Sequence, residues 1–387
     1  MPCMETVPSI LLLLGSMPFH REVILGIAES ARDRGGWDLV RSREAHLPLM
    51  LAERNFSGII AHVGSEKIAA HFRKLEMPVV NISRRLEQTA LPTVVTDNEE
   101  MGRVAAGYFL KKGFRSFAFL EAPEAVFSRE RQGGFHAALR QAGYSAFPLT
   151  KDALYAAGRS VARDRARAAW LAWLAEQPKP VAVFAATDEF AARMNDFCRR
   201  EQMTVPGEIA ILGCDNDEVS CLMNHPPRSS IELGAYGLGR RAAEVLEGLM
   251  KGRNAPGGIV RVPPGQVVSR QSTDILAVSD PVMREVLRFL QAHVDEPLQV
   301  TDLCRVADVS RRPLELRFQK YLNRTPLEII HEARLEQARR LLVTTPMQVA
   351  EIARRCGYRN GEVFSKAFRK AHGVTPRAYR GTRASAY

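Results

Sequence analysis

At 387 residues the chain exceeds the roughly 250 to 300 at which a single core stops growing, so two or three domains are expected. Its 46% hydrophobic and 25% charged content is that of a globular protein and excludes a disordered or fibrous chain. The formal charge of +11 is unevenly placed: from Pro281 onward 20 Lys and Arg face 11 Asp and Glu, which leaves the larger front part nearly balanced. A basic module behind a neutral one implies a polyanion bound at one end and a different partner at the other.

Along the front part, short β-rich runs alternate with helical patterns. Ile10 to Leu14 precedes a helix over Glu22 to Arg34, and Gly58 to Val63 precedes one over Glu66 to Leu75. Pro78 to Ile82 and Val94 to Thr96 follow as strands, with a helix over Glu99 to Lys112. A second series has strand Ser116 to Leu120, helices Arg131 to Ala142 and Arg163 to Leu174, strand Val181 to Ala185, helix Glu189 to Arg200 and strand Ile209 to Gly213. Helix Gly237 to Met250 and strand Gly258 to Val262 complete it. Such alternation argues for parallel sheets covered by helices, and so many units are most simply housed in two doubly wound lobes. Gly35-Gly36, Gly113, Gly143 and Gly252 each stand just past a helical pattern, where a left-handed cap is wanted. The stretch from Pro263-Pro264-Gly265 to Pro281 breaks the periodicity and precedes the change in charge, so the linker is expected there. The division is set at residues 1–275 and 276–387.

In the tail, Leu298 to Asn323 and Pro346 to Ala371 each read as helix, tight turn and second helix, joined by a helical spacer over Pro326 to Val343. The first unit has Thr301 to Ala307 as support, Asp308-Val309-Ser310 as turn and Arg311 to Leu322 as recognition helix, its start fixed by Pro313 in the first turn. Leu314 and Phe318 pack inward, leaving Arg311, Arg312, Glu315, Leu316 and Gln319 outward. Arginine there grips guanine O6 and N7, glutamate accepts from cytosine N4, and leucine meets a thymine methyl. The second unit has Val349 to Arg355 as support, Gly357 to Asn360 as turn, and a recognition helix opened by Gly361. Phe364 and Phe368 pack inward, while Glu362, Ser365, Lys366, Arg369 and Lys370 face out. Glu362 and Lys366 are i, i+4 neighbours, so a plain surface pair is the competing reading for them; Arg369 and Lys370, further along, suit phosphates. The bland alternative for the whole tail is a solvated bundle whose charge only keeps it soluble, against which stands the repeated order of two units, each followed by a Thr-Pro helix start.

Six dispersed cysteines without CxxC pairs fit a reducing compartment. Ile10 to Leu14 lacks the basic lead and length of a signal peptide, and no later run approaches the roughly 20 apolar residues of a membrane span, so a cytoplasmic location and no membrane contact are expected. No catalytic constellation is legible. Cys214, Cys221 and His225 have no common zinc spacing, and Gly234, Gly237 and Gly239 do not follow a strand in GxGxxG order, so neither enzyme activity nor a metal or cofactor is expected.

The segments Val349 to Tyr358 and Phe364 to Arg369 resemble the AraC family of bacterial transcription regulators over about the last hundred residues. Family members commonly carry glycine where Asp308 stands and a basic residue where Leu316 stands. The front part is similar to the two-lobed periplasmic-binding-protein fold of LacI-type repressors at Ser128 to Phe135, Ala186 to Ala191 and Val205 to Asp217, without an N-terminal headpiece. The family's usual Asn-Asp pair appears as Thr187-Asp188. The resemblance implies a sugar-responsive regulator of a pentose, xylose-like, catabolic operon, acting as an activator. It further implies, as expectations, binding to promoter half-sites of double-stranded DNA as a homodimer and contact with RNA polymerase. A transport-type sugar-binding protein is the alternative for the front part, with the basic tail counting against it.

Asp188 and Asp215 follow buried strands at their carboxyl ends, where ligands bind in open α/β sheets, and carboxylates there accept from sugar hydroxyls. Arg131, expected at a helix start, donates in a planar fork; Ser128 accompanies it in the same segment, and Phe127, Phe19 or His20 supply an apolar wall. The competing readings are a helix cap for Asp188, an Asx turn at Asp215 to Asp217, surface pairing of Arg129 and Arg131 with Glu130 or Glu124, core packing for Phe19 and a surface role for His20.

Overall fold

The structure is a computed structural model that describes residues 7–384 except 156–157, 159, 256, 275–279, 294–295, 297, 323 and 346. Cys3, Asn323 and Pro346 lie outside the described residues. The chain divides into two compact units, residues 1–274 and 275–387.

The first unit opens with β1 (Ser9–Leu13), α1 (Pro18–Asp33), β2 (Asp38–Ser42), α2 (Leu47–Glu53), β3 (Gly58–Ala61), α3 (Glu66–Phe72), β4 (Val79–Asn81) and β5 (Thr93–Thr96). The chain crosses through α4 (Asn98–Lys111) to β6 (Ser116–Leu120), α5 (Val126–Gln141), β7 (Ala146–Leu149), α6 (Val161–Glu176), β8 (Val181–Ala185), α7 (Asp188–Arg200), β9 (Ile209–Cys214), α8 (Glu218–Met223) and β10 (Ser229–Ile231). It returns as α9 (Ala235–Met250) and β11 (Ile259–Val262) and crosses a last time to β12 (Val267–Val268). The sheets have the orders β2-β1-β3-β4-β5-β11 and β7-β6-β8-β9-β10-β12, so each lobe is wound in the same way. All pairings are parallel except β10 with β12. Helices cover both faces, which is why β1, β3, β6, β8 and β9 are buried along their whole lengths and read as unbroken apolar runs.

The edge strands are the ones the sequence conceals. β2 is only partly buried, and β7 contains Pro148, which an edge strand tolerates because one side of it has no partner. The expected linker also needs correction at its front end. Residues 267–268 join the second sheet, and Ser272 is fully buried, with its Oγ donating to the Ile211 carbonyl at 2.6 Å and accepting from the Ser229 N–H at 2.9 Å. Proline and glycine there mark a crossover between lobes rather than a free tether.

Each lobe is anchored by a helix pair that touches backbone to backbone. A Cβ on Gly26 or Gly239 would collide with the carbonyls of Tyr236 or Val23 where α1 crosses α9, and one on Gly102 or Gly134 with those of Arg131 or Glu99 where α4 crosses α5. The second crossing fixes the helix that carries Arg131.

The second unit is helical: α10 (Pro281–Ala292), α11 (Val300–Ala307), α12 (Arg311–Leu322), α13 (Pro326–Thr344), α14 (Val349–Arg355), α15 (Gly361–His372) and α16 (Pro376–Ala384). It holds two small cores. Met283, Val286, Leu287, Leu303, Leu314 and Phe318 pack with the front of α13, and Ile352, Cys356, Tyr358, Phe364 and Phe368 pack with its rear. Thr325 and Glu328 form a reciprocal capping box that starts α13, the spacer common to both cores.

Both tight turns need a left-handed residue after the supporting helix. The second has Gly357 at φ 71°, whereas the first has Asp308 at φ 49°. A left-handed L-residue is strained, and aspartate only partly escapes this through its short polar side chain. Asp308→Gly is therefore expected to stabilise the tail, by up to about 1 kcal/mol. A rise in the tail's denaturation midpoint checks it, and a fall would mean the aspartate carboxylate supports the turn.

Candidate ligand cleft and nucleic-acid interface

Three crossovers, after β5, β10 and β11, set the carboxyl ends of the two sheets toward each other. They are tied together: the Thr96 hydroxyl donates to the Leu233 carbonyl at 2.7 Å, the Asp97 N–H to Val262 at 2.7 Å and the Gly265 N–H to Glu232 at 2.9 Å. Facing strand ends make a cleft where ligands bind in such folds.

On the second lobe, α5 begins at Val126, five residues before the expected start. Phe127 and Ser128 thus lie in its first turn and Arg131 in its second, a correction to the expectation that Arg131 opens the helix. Arg131 is only 4% exposed. Its Nε donates to Asn98 Oδ1 at 3.0 Å, Nη1 donates to the Ala186 carbonyl, and Nη1 lies 3.9 Å from Asp215 Oδ1. The guanidinium sits 4.9 Å from the centre of the Phe127 ring. Ser128 is buried, and its Oγ accepts from the Ala122 N–H at 2.9 Å, securing the loop before the helix.

Asp215 and Asn216 both have positive φ, 107° and 47°, turning the chain sharply at the end of β9. Asn216 is held by Arg270, whose Nη2 donates to its Oδ1 at 2.9 Å. Burial raises the Asp215 carboxyl to about 7 against the pull of Arg131, with buried Asp188 raising it further.

Asp188 is 2% exposed and serves a different end from a simple cap. Thr187 caps α7, its Oγ1 accepting from the Phe190 N–H at 3.4 Å. The Asp188 carboxylate instead accepts from the Asp217 N–H at 2.9 Å and from the Cys221 thiol at 3.4 Å, with Arg228 at 3.8 Å. Burial raises its pKa, opposed by Arg228. It clasps the loop carrying Asp215 and Asn216, while Asp217 caps α8 by accepting from Ser220.

The first lobe contributes Phe19 and His20 at the start of α1 and His62 after β3. Phe19 is half-buried, with its ring 4.2 Å from that of His20 and 6.0 Å from that of His62. His20 is buried rather than on the surface, and His62 is a neighbour the sequence reading missed, since nothing local distinguishes it. Arg41 fixes the loop between β1 and α1 by donating to the carbonyls of Leu14 and Gly15 at 3.3 and 2.6 Å.

The lobes also meet along a rim. Helix α5 has no side-chain cap, and its first N–H groups, of Val126 and Phe127, donate to Arg85 and Arg84 carbonyls of the first lobe at 3.3 and 2.9 Å. Arg84 pairs with Glu130 at 2.8 Å, and Arg129 pairs with Glu87 rather than with Glu130 or Glu124.

The Asp215 environment gives a pH dependence. If a ligand hydroxyl donates to the ionised carboxylate, affinity is expected to rise as pH is raised through about 7, which calorimetry across that range measures. For stability the sign is opposite. A carboxyl that holds its proton more tightly folded than unfolded contributes stability at low pH and loses it as pH rises through about 7. Flat affinity across neutrality would remove Asp215 from the ligand contact.

In the tail, Leu314, Phe318, Phe364 and Phe368 are fully buried, which leaves the opposite faces of α12 and α15 outward. Arg311 and Arg312 are exposed, Leu316 is 63% exposed, and Glu315 is half-buried and accepts from Arg311 Nε at 2.8 Å. On α15, Gly361 and Ser365 are half-buried and Glu362, Lys366 and Arg369 exposed, with Lys366 2.8 Å from Glu362. Asn360 caps this helix by accepting from the Val363 N–H at 2.9 Å. Val363, 49% exposed, is an outward apolar residue the sequence reading passed over. Both outer faces combine cationic donors, carboxylate acceptors and an apolar contact, the three kinds of group that read base edges in a major groove.

Among the described residues, no three His, Cys, Asp or Glu gather to hold a metal ion, and no helix is long and apolar enough to cross a membrane.

Residues 106–273 match the periplasmic binding protein-like domain family, and residues 303–382 match a helix-turn-helix domain family. The chain is similar to the xylose operon regulatory protein of Escherichia coli strain K12, at 27% identity over 379 residues, 96% of each chain. It is likewise similar to that of Haemophilus influenzae strain KW20 Rd, at 25% identity over 96% of this chain and 97% of the relative. Among solved structures, the xylose-binding transcription activator xylR aligns over 97% of this chain and 98% of its own, with 25% identity and a TM-score of 0.62.

Proposed function

We propose, for a transcription regulator that joins a periplasmic binding protein-like domain to an AraC-type pair of helix-turn-helix units, that a small sugar bound in the front cleft governs how the tail engages DNA. The observation that carries this reading is the buried Arg131 fork beside Asp215 at facing strand ends, in the unit that precedes a cationic tail. Arg131 donates to ring or hydroxyl oxygens, Asp215 accepts from a hydroxyl, and Phe127 and Phe19 cover carbon faces of the sugar. Ser128 and Asp188 hold the loops that present these groups.

The relatives are named for xylose, so the effector assigned is a pentose and the target a pentose catabolic operon, with activation as the sign of control. Two copies pair in the cytoplasm to place their tails on promoter half-sites, and RNA polymerase is the partner through which an activator acts. No catalytic step is assigned. A ligand shifts such a system only through different affinity for two arrangements, and closure along the rim of Arg84, Glu130 and α5 supplies a state that a bound sugar favours. Calorimetry with a panel of pentoses and hexoses tests the effector; failure of every sugar to bind removes it.

Arg311, Arg312, Glu315 and Leu316 on α12, and Gly361, Glu362, Ser365, Lys366 and Arg369 on α15, form the DNA surface. Lys366→Ala is expected to weaken promoter binding and reduce the slope of log affinity against log salt by about one, if the lysine neutralises a phosphate. If it reads guanine, discrimination at one position is lost instead. Arg312→Ala is expected to act likewise, and sugar affinity stays unchanged in both. A wild-type salt slope and wild-type base preference would leave Lys366 as the surface partner of Glu362.

A further inference from the structure

The seam between the two small cores of the tail falls at one residue of α13. Ile329, Ile330 and Ala333 pack in the first core, while Leu335, Ala338, Leu341 and Leu342 pack in the second. Arg334 stands between them, and its side chain reaches both ways. Toward the first unit, its Nη2 donates to the Leu298 carbonyl at 2.9 Å. Leu298 belongs to the first core and stands just before α11, whose start is pinned by the Asp302 carboxylate accepting from the Gln299 N–H at 2.9 Å. Toward the second unit, the guanidinium lies against the bare backbone of the turn before α15. A Cβ on Gly357 would come within 2.8, 2.9 and 2.9 Å of its Nε, Cζ and Nη2. Glycine is therefore wanted at 357 for room as well as for its φ of 71°. The next residue, Tyr358, is buried with its ring 5.2 Å from that of Phe364, and the Arg334 charge pulls against the burial that raises its phenol to about 12.

Two units that meet only through small packed areas move relative to one another by default, and each of these units has a small core on a shared helix. A side chain bonded to the entry of one and laid against the turn of the other removes that freedom. Arginine suits the task because one rigid plane can donate from its end and lie flat against backbone, which an ammonium cannot do. DNA makes the constraint matter. Two recognition helices engage one duplex together only where their separation matches the grooves, and the second contact adds nothing where geometry forbids it.

We propose that Arg334 is the positioning residue that holds α12 and α15 at one relative orientation and so sets the separation of the two base-pair segments the tail reads. The assignment rests on the DNA surface given above to α12 and α15 and is independent of the effector. Arg334 acts through the entry of α11 and the turn before α15 rather than by touching a base.

The test is fluorescence anisotropy on the full chain with two duplexes. One is selected by the chain from a random-sequence pool. The other is its copy with one base pair inserted between the two segments that the chain protects, which shifts one segment by about 3.4 Å and turns it by about 35°. The unaltered chain is expected to bind the inserted duplex roughly 100-fold more weakly. Arg334→Gln is expected to bind the selected duplex roughly tenfold more weakly than the unaltered chain does, and to narrow the difference between the duplexes to about threefold. It then binds the inserted duplex more tightly than the unaltered chain, an outcome that a purely stabilising residue cannot give, since losing one weakens both duplexes alike. Arg334→Lys, which keeps the charge and a donor but not the plane, is expected to fall between the two and reports even if the glutamine variant fails to fold. The unaltered ratio in Arg334→Gln, or in Arg334→Lys where the glutamine variant does not fold, overturns the proposal. Selection of no duplex, or protection of a single segment, overturns the reading of two groove-binding helices and this assignment with it.

Discussion

Replacement of Arg131 by alanine is expected to lower sugar affinity at least roughly 100-fold while DNA binding by the tail persists. Two losses combine. Hydrogen bonds to a charged group contribute about 1.5–3 kcal/mol, and removing a buried guanidinium leaves the half-buried carboxylate beside it uncompensated. The partner is Asp215, already raised to about 7 with Arg131 beside it; without the guanidinium it is expected to hold its proton through neutrality and stop accepting from a hydroxyl. The fold itself should survive, because α5 is fixed against α4 by the close approach of Gly102 and Gly134. Arg131→Lys keeps the charge but loses the fork that reaches Asn98 and Ala186 together, so only partial recovery is expected. Calorimetry and thermal denaturation measure the two parts, and wild-type affinity in Arg131→Ala would take this residue out of the cleft's chemistry.

Phe364→Ala is expected to produce the largest change in the tail. Truncating a fully buried phenylalanine costs about 3–5 kcal/mol. The core it leaves is small, made by Ile352, Ala353, Cys356, Tyr358 and Phe368 with the rear of α13, so the loss is comparable to that core's whole stability. The first helix-turn-helix unit packs on the front of α13 through Leu314 and Phe318 and is expected to stay folded. Hydrogen exchange should then show α14 and α15 losing protection while α11 and α12 keep it. Promoter affinity should fall by roughly 100-fold or more, because one of two linked contacts is gone. Equal loss of protection in both units would show that the two cores melt as one.

What the sequence makes legible follows from burial. Strands covered on both faces, such as Val181–Ala185 and Ile209–Cys214, stand out as apolar runs, and the recognition helices stand out because Leu314 with Phe318 and Phe364 with Phe368 repeat at helical spacing. The half-buried edge strands β2 and β7 lack that contrast, and β7 carries a proline that argues against a strand. Helix α10 escapes a reading of the sequence although Met283, Val286, Leu287 and Leu290 mark one face, because it adjoins the stretch of broken periodicity and the change in charge. In the cleft, Asp215 draws notice in the sequence because it adjoins a strand end, and Arg131 because it lies in the helical pattern that follows one. His62 does not, since its partner His20 lies 42 residues away and only the pairing of β1 with β3 brings them together. The position of Asp188 after β8 points to a ligand, but its buried carboxylate faces the Asp217 backbone and Cys221, an orientation sequence cannot express.

The joint dependence of the two units on one ligand is tested most directly by titrating promoter DNA with the full chain, by fluorescence anisotropy at fixed salt, with and without saturating D-xylose. The expected result is salt-sensitive binding whose affinity or half-site spacing preference changes when the sugar is present, a coupling of roughly 5- to 150-fold. Binding that is identical in both conditions, although the sugar occupies the cleft by calorimetry, would contradict it.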